Sequence, residues 1–86
     1  MLDLVKAHLR IDGTEQDGYL GHLIASARAE CRRHTGLDTL PEDAPDLTTG
    51  LILAVQADFD GDPERRETYL AAARALWTPF CKHFGV

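Results

Sequence analysis

The chain has 86 residues, and its nine lysines and arginines against fourteen aspartates and glutamates give a formal net charge of −5. A length this short predicts a single domain over residues 1–86, with a thin core that partners often complete. The acidic balance disfavours a protein that grips nucleic acid, because binding to phosphates requires clustered positive charge. With no long apolar run and no signal-peptide pattern, we expect neither a membrane partner nor secretion.

The first predicted element is a short amphipathic helix over residues 2–10. Leu2, Val5 and Leu9 recur at helical spacing, and polar residues separate them. A helix of this length is marginal in water when it stands alone. We therefore expect this segment to lie on another surface.

A turn at Asp12-Gly13 precedes a long helix that the sequence predicts to start at Thr14 and end at Gly36. Thr14 is expected to cap the first turn, because a threonine followed by acidic residues is a capping-box pattern. Glycine is the residue that most often ends a helix in the left-handed conformation. The apolar stripe of this helix contains Leu20, Leu23, Ile24, Ala27 and Cys31.

Small residues form a second line on the same helix, at Gly18, Gly21, Ala25 and Ala29. Each glycine inside a helix costs about 1 kcal/mol relative to alanine, so a packing reason is expected. Close approach of another helix of the same chain is the simpler explanation. Close approach of a neighbouring subunit is the alternative.

Two further helices are predicted after an acidic, proline-rich loop at residues 39–46. Asp46 should cap the third helix, and the fourth should run from Pro63 to about Trp77. The apolar positions of the third helix are Leu47, Leu51, Ala54, Val55 and Phe59, and those of the fourth include Tyr69, Leu70, Ala73, Leu76 and Trp77. The pattern predicts an all-α fold, a small bundle of about four helices in which a short N-terminal helix precedes a long one and two more.

Residues that carry catalytic or metal chemistry are not clustered in this sequence. Four potential zinc ligands exist, Cys31, His34, Cys81 and His83, but the second pair lacks the spacing and turn glycines of a zinc knuckle. The alternating acids at residues 58–62 lack the glycine and glutamate positions of a calcium loop. We expect reduced cysteines, no metal, no cofactor and no enzymatic activity.

The N-terminal half of the chain resembles a known family. The run KAHLRIDGTEQDGYLGHLIASARAECRRHTG, residues 6–36, is similar to the small head-tail connector proteins of tailed bacteriophages, also called adaptor, head-completion or DNA-packaging proteins. The shared features are the stub at residues 5–12, the acidic turn at residues 14–17, the leucine-rich helix at residues 20–27 and the Thr35-Gly36 stop. The closing run at residues 76–80 fits the family more loosely.

The resemblance implies a structural virion protein of a tailed phage or prophage. Such a protein would form a homo-oligomeric ring under the portal protein, contact a head-closure or tail-completion protein on the tail side, and let double-stranded DNA pass without sequence-specific binding. It would be present in the bacterial host cytoplasm during assembly and then in the neck of the virion. A small helical regulatory or antitoxin-like binding module is the alternative.

In such a ring, the N-terminal segment at residues 2–11 and the tail at residues 80–84 are expected to serve assembly more than folding, because each is apolar and too short to form a core of its own. The stub would then bury its stripe on a neighbouring subunit or on the portal. The candidate interface residues are Leu2, Val5, His8, Leu9, Arg10, Gly18, Gly21, Trp77, Phe80 and Phe84.

Overall fold

The computed structural model describes residues 1–82 and contains four α-helices with no strand in that range. The four helices are α1 (Leu2–Leu9), α2 (Asp17–Thr35), α3 (Pro45–Asp60) and α4 (Pro63–Trp77), and a 3-10 helix follows at Thr78–Phe80. The predicted all-α bundle of about four helices, with a short one first, is confirmed.

The helices run alternately up and down. α3 and α4 form an antiparallel hairpin through Gly61, whose positive φ of 71° ends α3. α2 is antiparallel to α3, since Tyr19 near the start of α2 packs against Phe59 near the end of α3, with ring centroids 6.3 Å apart. α1 lies on α2 and α3, with its last turn near the second half of α3, where His8 contacts Gln56.

The core is a single cluster of apolar side chains from all four helices. Its fully buried large members are Val5, Leu20, Cys31, Leu47, Val55 and Trp77. Most stripe positions read from the helical periodicity are buried, but Leu76 is only partly buried. The apolar arc of α4 is therefore centred on Leu70, Ala73 and Trp77.

Trp77 determines how closely α3 and α4 approach. A Cβ atom placed on Gly50 would lie 2.3 Å from the indole Nε1 of Trp77, so only glycine fits at this position of α3. The indole N–H donates to the backbone carbonyl of Leu47 at 3.2 Å, which satisfies the one polar group of a fully buried side chain. The ring therefore lies directly on the backbone of α3.

Two predicted helix starts are wrong by a few residues. α2 begins at Asp17 with Gln16 as its N-cap, and no side chain caps it. Thr14 lies in the preceding turn, where its carbonyl accepts from the Asp17 N–H at 3.1 Å. α3 begins at Pro45, so Asp46 lies inside its first turn instead of capping it. The predicted end of α2 at Gly36, with φ of 77°, is correct.

The stripe of α1 packs against the chain's own core. Val5 has no exposed surface, and Leu2 and Leu9 are partly buried against the core. This differs from the expectation that so short a helix needs a neighbouring subunit to cover its stripe. The reason is that α2 and α3 together leave an apolar face that α1 fits.

Polar contacts fix α1 at its C-terminal end. The Lys6 ammonium donates to the Asp17 carboxylate at 2.7 Å and to the carbonyl of Gly13, which joins α1 to the turn before α2. On the other side, Nε2 of His8 lies 2.6 Å from Oε1 of Gln56, whose amide donates to the Tyr69 hydroxyl at 3.2 Å. α1 is thus bonded to α2 and, through α3, to α4.

Gly50→Ala should lower the free energy of unfolding by about 1–3 kcal/mol, because overpacking against a rigid indole exceeds the gain of about 1 kcal/mol in helix propensity. Gly21→Ala is the matched control, since Gly21 is helical with open space around its Cβ position. It should stabilise the protein by about 0.5–1 kcal/mol. Chemical denaturation followed by circular dichroism measures both, and two variants of equal stability would contradict the close contact.

Asp62→Ala should cost about 0.5–2 kcal/mol, because the Asp62 carboxylate accepts from the Glu64 N–H at 3.0 Å and caps α4. Thr14→Ala should change stability by less than about 0.5 kcal/mol, since its side chain caps nothing. Thermal melts of both variants measure these changes in stability. If Thr14→Ala lost more stability than Asp62→Ala, the long helix would begin at Thr14.

Val5→Ala should cost about 1–3 kcal/mol, because a fully buried side chain is truncated. Leu4→Ala, one residue away and 54% exposed, should change stability by less than about 0.5 kcal/mol. If urea unfolding showed no difference between the two variants, α1 would not be part of the folded core.

Candidate assembly surface

The residues proposed for assembly on and after α1 divide into buried and exposed groups. Val5 is enclosed and offers no surface to a partner, whereas Leu2 and Leu9 are partly buried against the core. His8 and Arg10 are exposed. Arg10 ends α1 in the left-handed conformation, with φ of 57°, and the N–H groups of Arg10 and Ile11 bond back to α1 at 3.3 and 2.9 Å. The Arg10 side chain is therefore exposed on the surface, whereas the His8 ring, although exposed, contacts Gln56 of α3.

The two glycines of α2 face solvent. A Cβ atom on Gly18 or on Gly21 would meet nothing within 4 Å. The explanation preferred from the sequence, close approach of another helix of the same chain, is therefore wrong. These glycines leave a low surface on α2 next to Tyr19, and close approach of a neighbouring subunit stays a hypothesis.

At the C-terminal end, Trp77 lies in the core and offers no surface to a partner. Phe80 is half-buried against the core, and Phe84 lies outside the described residues. The segment after α4 returns to the end of α2, where the Lys82 N–H donates to the Thr35 carbonyl at 2.6 Å and the Cys81 thiol to the His34 carbonyl at 3.4 Å.

The largest exposed apolar side chains in residues 1–82 were not among the predicted interface positions. They are Leu4, 54% exposed, and Tyr19, 50% exposed. Leu4 lies off the buried stripe of α1, and Tyr19 precedes the first buried residue of α2. Their exposure could have been predicted from the sequence, because both are large apolar residues at positions outside the apolar stripes of their helices.

Leu4 lines an open groove of about 460 Å³ between the start of α1, the second half of α2, the α2–α3 loop and the start of α3. The apolar side chains that line it are Met1, Leu4, Leu40, Pro41, Leu47 and Leu51. Arg28 and Arg32 of α2 and Asp38 and Glu42 of the loop supply its charged groups. The groove thus combines apolar surface with charges of both signs.

The four charged side chains of the groove are exposed and form no ion pair within residues 1–82. Elsewhere on the same helix the charges are paired. The Glu30 carboxylate accepts hydrogen bonds from Arg33 and, at 3.4 Å, from Arg74 of α4. The bond from Arg33, and to a smaller extent that from Arg74, lowers the pKa of Glu30 below its ordinary value, although partial burial acts in the opposite direction. Arg28 and Arg32 therefore differ from Arg33, which has an acidic partner within residues 1–82.

The candidate metal ligands do not form a site in the described part of the chain. Within residues 1–82 no three histidine, cysteine or acidic side chains come together, and His83 lies outside that range. Burial raises the pKa of the Cys31 thiol to about 11, which disfavours the thiolate that zinc binds. Both cysteines are free thiols. Of the acids near Gly61, Asp58 pairs with Arg66 at 3.1 Å.

None of the helices within the described range combines the length and hydropathy that crossing a bilayer requires.

Comparison with known proteins identifies the family. A family model described as phage gp6-like head-tail connector protein matches residues 1–76. No curated protein and no solved structure matches the chain. The matched range extends from the first residue almost to the end of α4, and it confirms the resemblance that the N-terminal motifs carry. The chain belongs to the phage gp6-like head-tail connector family, and its role is that of a structural protein joining head to tail.

Proposed function

We propose that this protein assembles as a homo-oligomeric ring in the virion neck, between the portal protein of the head and a closure or completion protein of the tail, and that the packaged DNA passes through it. The observation that carries the proposal is the family match over residues 1–76. The protein is made in the host cytoplasm and enters the neck as a subunit that is already folded.

The structure of the subunit supports assembly from folded parts. All four helices share one apolar core, and α1 is bonded to α2 and α3. A subunit of this kind loses little chain entropy when it joins a ring, because its interface is ordered before contact. Leu4, Tyr19 and the groove supply exposed surface from which contacts between copies can form.

Charge supports a passive role toward DNA. Counting only pairs among residues 1–82, five of the nine basic residues form ion pairs, namely Lys6, Arg33, Arg65, Arg66 and Arg74. A net charge of −5 and neutralised cations leave few groups to release counterions from a phosphate backbone. A ring of such subunits would let duplex DNA move instead of holding it.

Deleting the gene for this chain from the phage or prophage that encodes it should leave DNA-filled heads that lose their DNA or remain without tails. Electron microscopy of the particles and plaque counts measure the defect. Expression of the wild-type chain from a plasmid should restore tailed, infectious particles, and mass spectrometry should then find the chain in purified virions. Tailed particles in normal yield without the gene would contradict the proposed role.

A further inference from the structure

Two exposed surfaces of this chain differ in character, one beside the start of α1 and the second half of α2, the other around the α1–α2 turn and the first turn of α2. One is the groove lined by Leu4, Arg28 and Arg32. The other, which we call the turn patch, consists of Arg10, Asp12, Glu15 and Tyr19 in and around the α1–α2 turn. Thirteen residues of helix separate Tyr19 from Arg32, which is about 20 Å at 1.5 Å per residue. A subunit therefore does not fill its own groove with its own turn patch.

We propose that the groove binds the turn patch of a second copy of this chain, with Tyr19 of one copy against Leu4 and the apolar lining of the next. This inference rests on the proposed ring and assigns the contact that builds it. A head-to-tail contact uses two different patches on each subunit, and it produces a ring when the rotation closes.

Apolar complementarity is the first support. Leu4 and Tyr19 are the large apolar side chains that the described residues leave about half exposed, and one belongs to each surface. Tyrosine is enriched at the centres of interfaces because its ring is rigid and its hydroxyl tolerates partial hydration. The Tyr19 ring packs against Phe59 on one side and is half exposed on the other, and Gly18 and Gly21 add no side chain that would cover the exposed half.

Charge complementarity is the second support. The groove offers Arg28 and Arg32 on α2, and the turn patch offers Asp12 and Glu15, all exposed and without an ion pair within residues 1–82.

The acidic residues that the α2–α3 loop contributes to the groove offer a second complementarity, with the signs reversed. Asp38 and Glu42 belong to the groove, and Arg10 of the turn patch has the matching positive charge. Opposite charges on two surfaces orient the encounter and fix its register. Both signs of charge in the groove therefore find an opposite charge on the turn patch.

Charge-reversal variants test the contact by sedimentation velocity over a range of concentrations. The groove variant carries Arg28→Glu and Arg32→Glu, and the turn variant carries Asp12→Arg and Glu15→Arg. Each should raise the dissociation constant for self-association by about tenfold or more. Combining the two in one chain restores opposite charges across the contact, so self-association should return toward the wild-type value.

The matched control carries Arg33→Glu and Arg65→Glu, which gives the same change in charge as the groove variant. Both control residues are exposed and lie outside the groove and the turn patch. The control should associate like the wild type, and circular dichroism should show that every variant is folded. Leu4→Gln and Tyr19→Ser, which each remove one apolar partner, should also weaken association without loss of helix.

Several results would overturn this contact. Loss in the groove variant with no effect in the turn variant would indicate a groove-to-groove dimer or a groove that binds another protein. If self-association of the combined variant stayed as weak as in the single-surface variants, the groove and the turn patch would not contact each other. A wild-type chain that stays monomeric at every concentration would also overturn it. In each of these cases the gene-deletion experiment still tests whether the protein acts in the virion neck, because its result is the number of tailed particles.

Discussion

The contact of Trp77 with Gly50 sets the spacing on which the rest of the fold depends. An indole placed directly against the backbone of α3 holds α4 at one distance, and its N–H bond to the Leu47 carbonyl fixes the register of the two helices. The 3-10 helix and the segment to Lys82 follow from that position, since they return to the end of α2 at Thr35. His34 of α2 packs 6.2 Å from the indole and contacts the Thr78 hydroxyl at 3.1 Å, so three helices meet at this end of the molecule.

The other end of the molecule depends on α1. This helix has eight residues, too few to be stable alone, yet its valine is enclosed and its lysine and histidine bond to neighbouring elements. In a chain this small, one short helix covers a substantial part of the core. The two sides of α1 therefore differ. The inward side, with Val5, is part of the core, and the outward side, with Leu4, is exposed.

Periodicity was enough to predict the helices, because apolar residues every three or four positions identify the buried faces of α2 and α3 without knowledge of their partners. The family was predicted from the motif at residues 6–36. Helix starts were less predictable. Thr14 has the residue type of a cap, but Lys6 holds Asp17 and the Gly13 carbonyl, so the chain turns once more before α2 begins.

The candidate surface was predicted only in part, for a different reason. Whether Val5 or Trp77 faces inward depends on which helices pack together, and a stripe alone does not say whether its partner is in the same chain. Gly50 was overlooked because a glycine inside an apolar helix carries no signal of the indole that lies above it. Arg10 and Gly21 are exposed, as residues of a binding surface must be. The charged groove was not predicted because the α2–α3 loop forms part of it, and the path of that loop is not evident from its own sequence.

Hydrogen exchange of the isolated chain, kept dilute so that it is monomeric, tests the central claim most directly, namely that the subunit is fully folded, α1 included, before it assembles. The N–H groups of Val5 and Ile11, which bond to the Met1 and Lys6 carbonyls at 3.1 and 2.9 Å, should be protected together with those of α2 and α3. Exchange of these two amides at the rate of an unfolded chain, with protection only after assembly, would show instead that α1 folds on its neighbour.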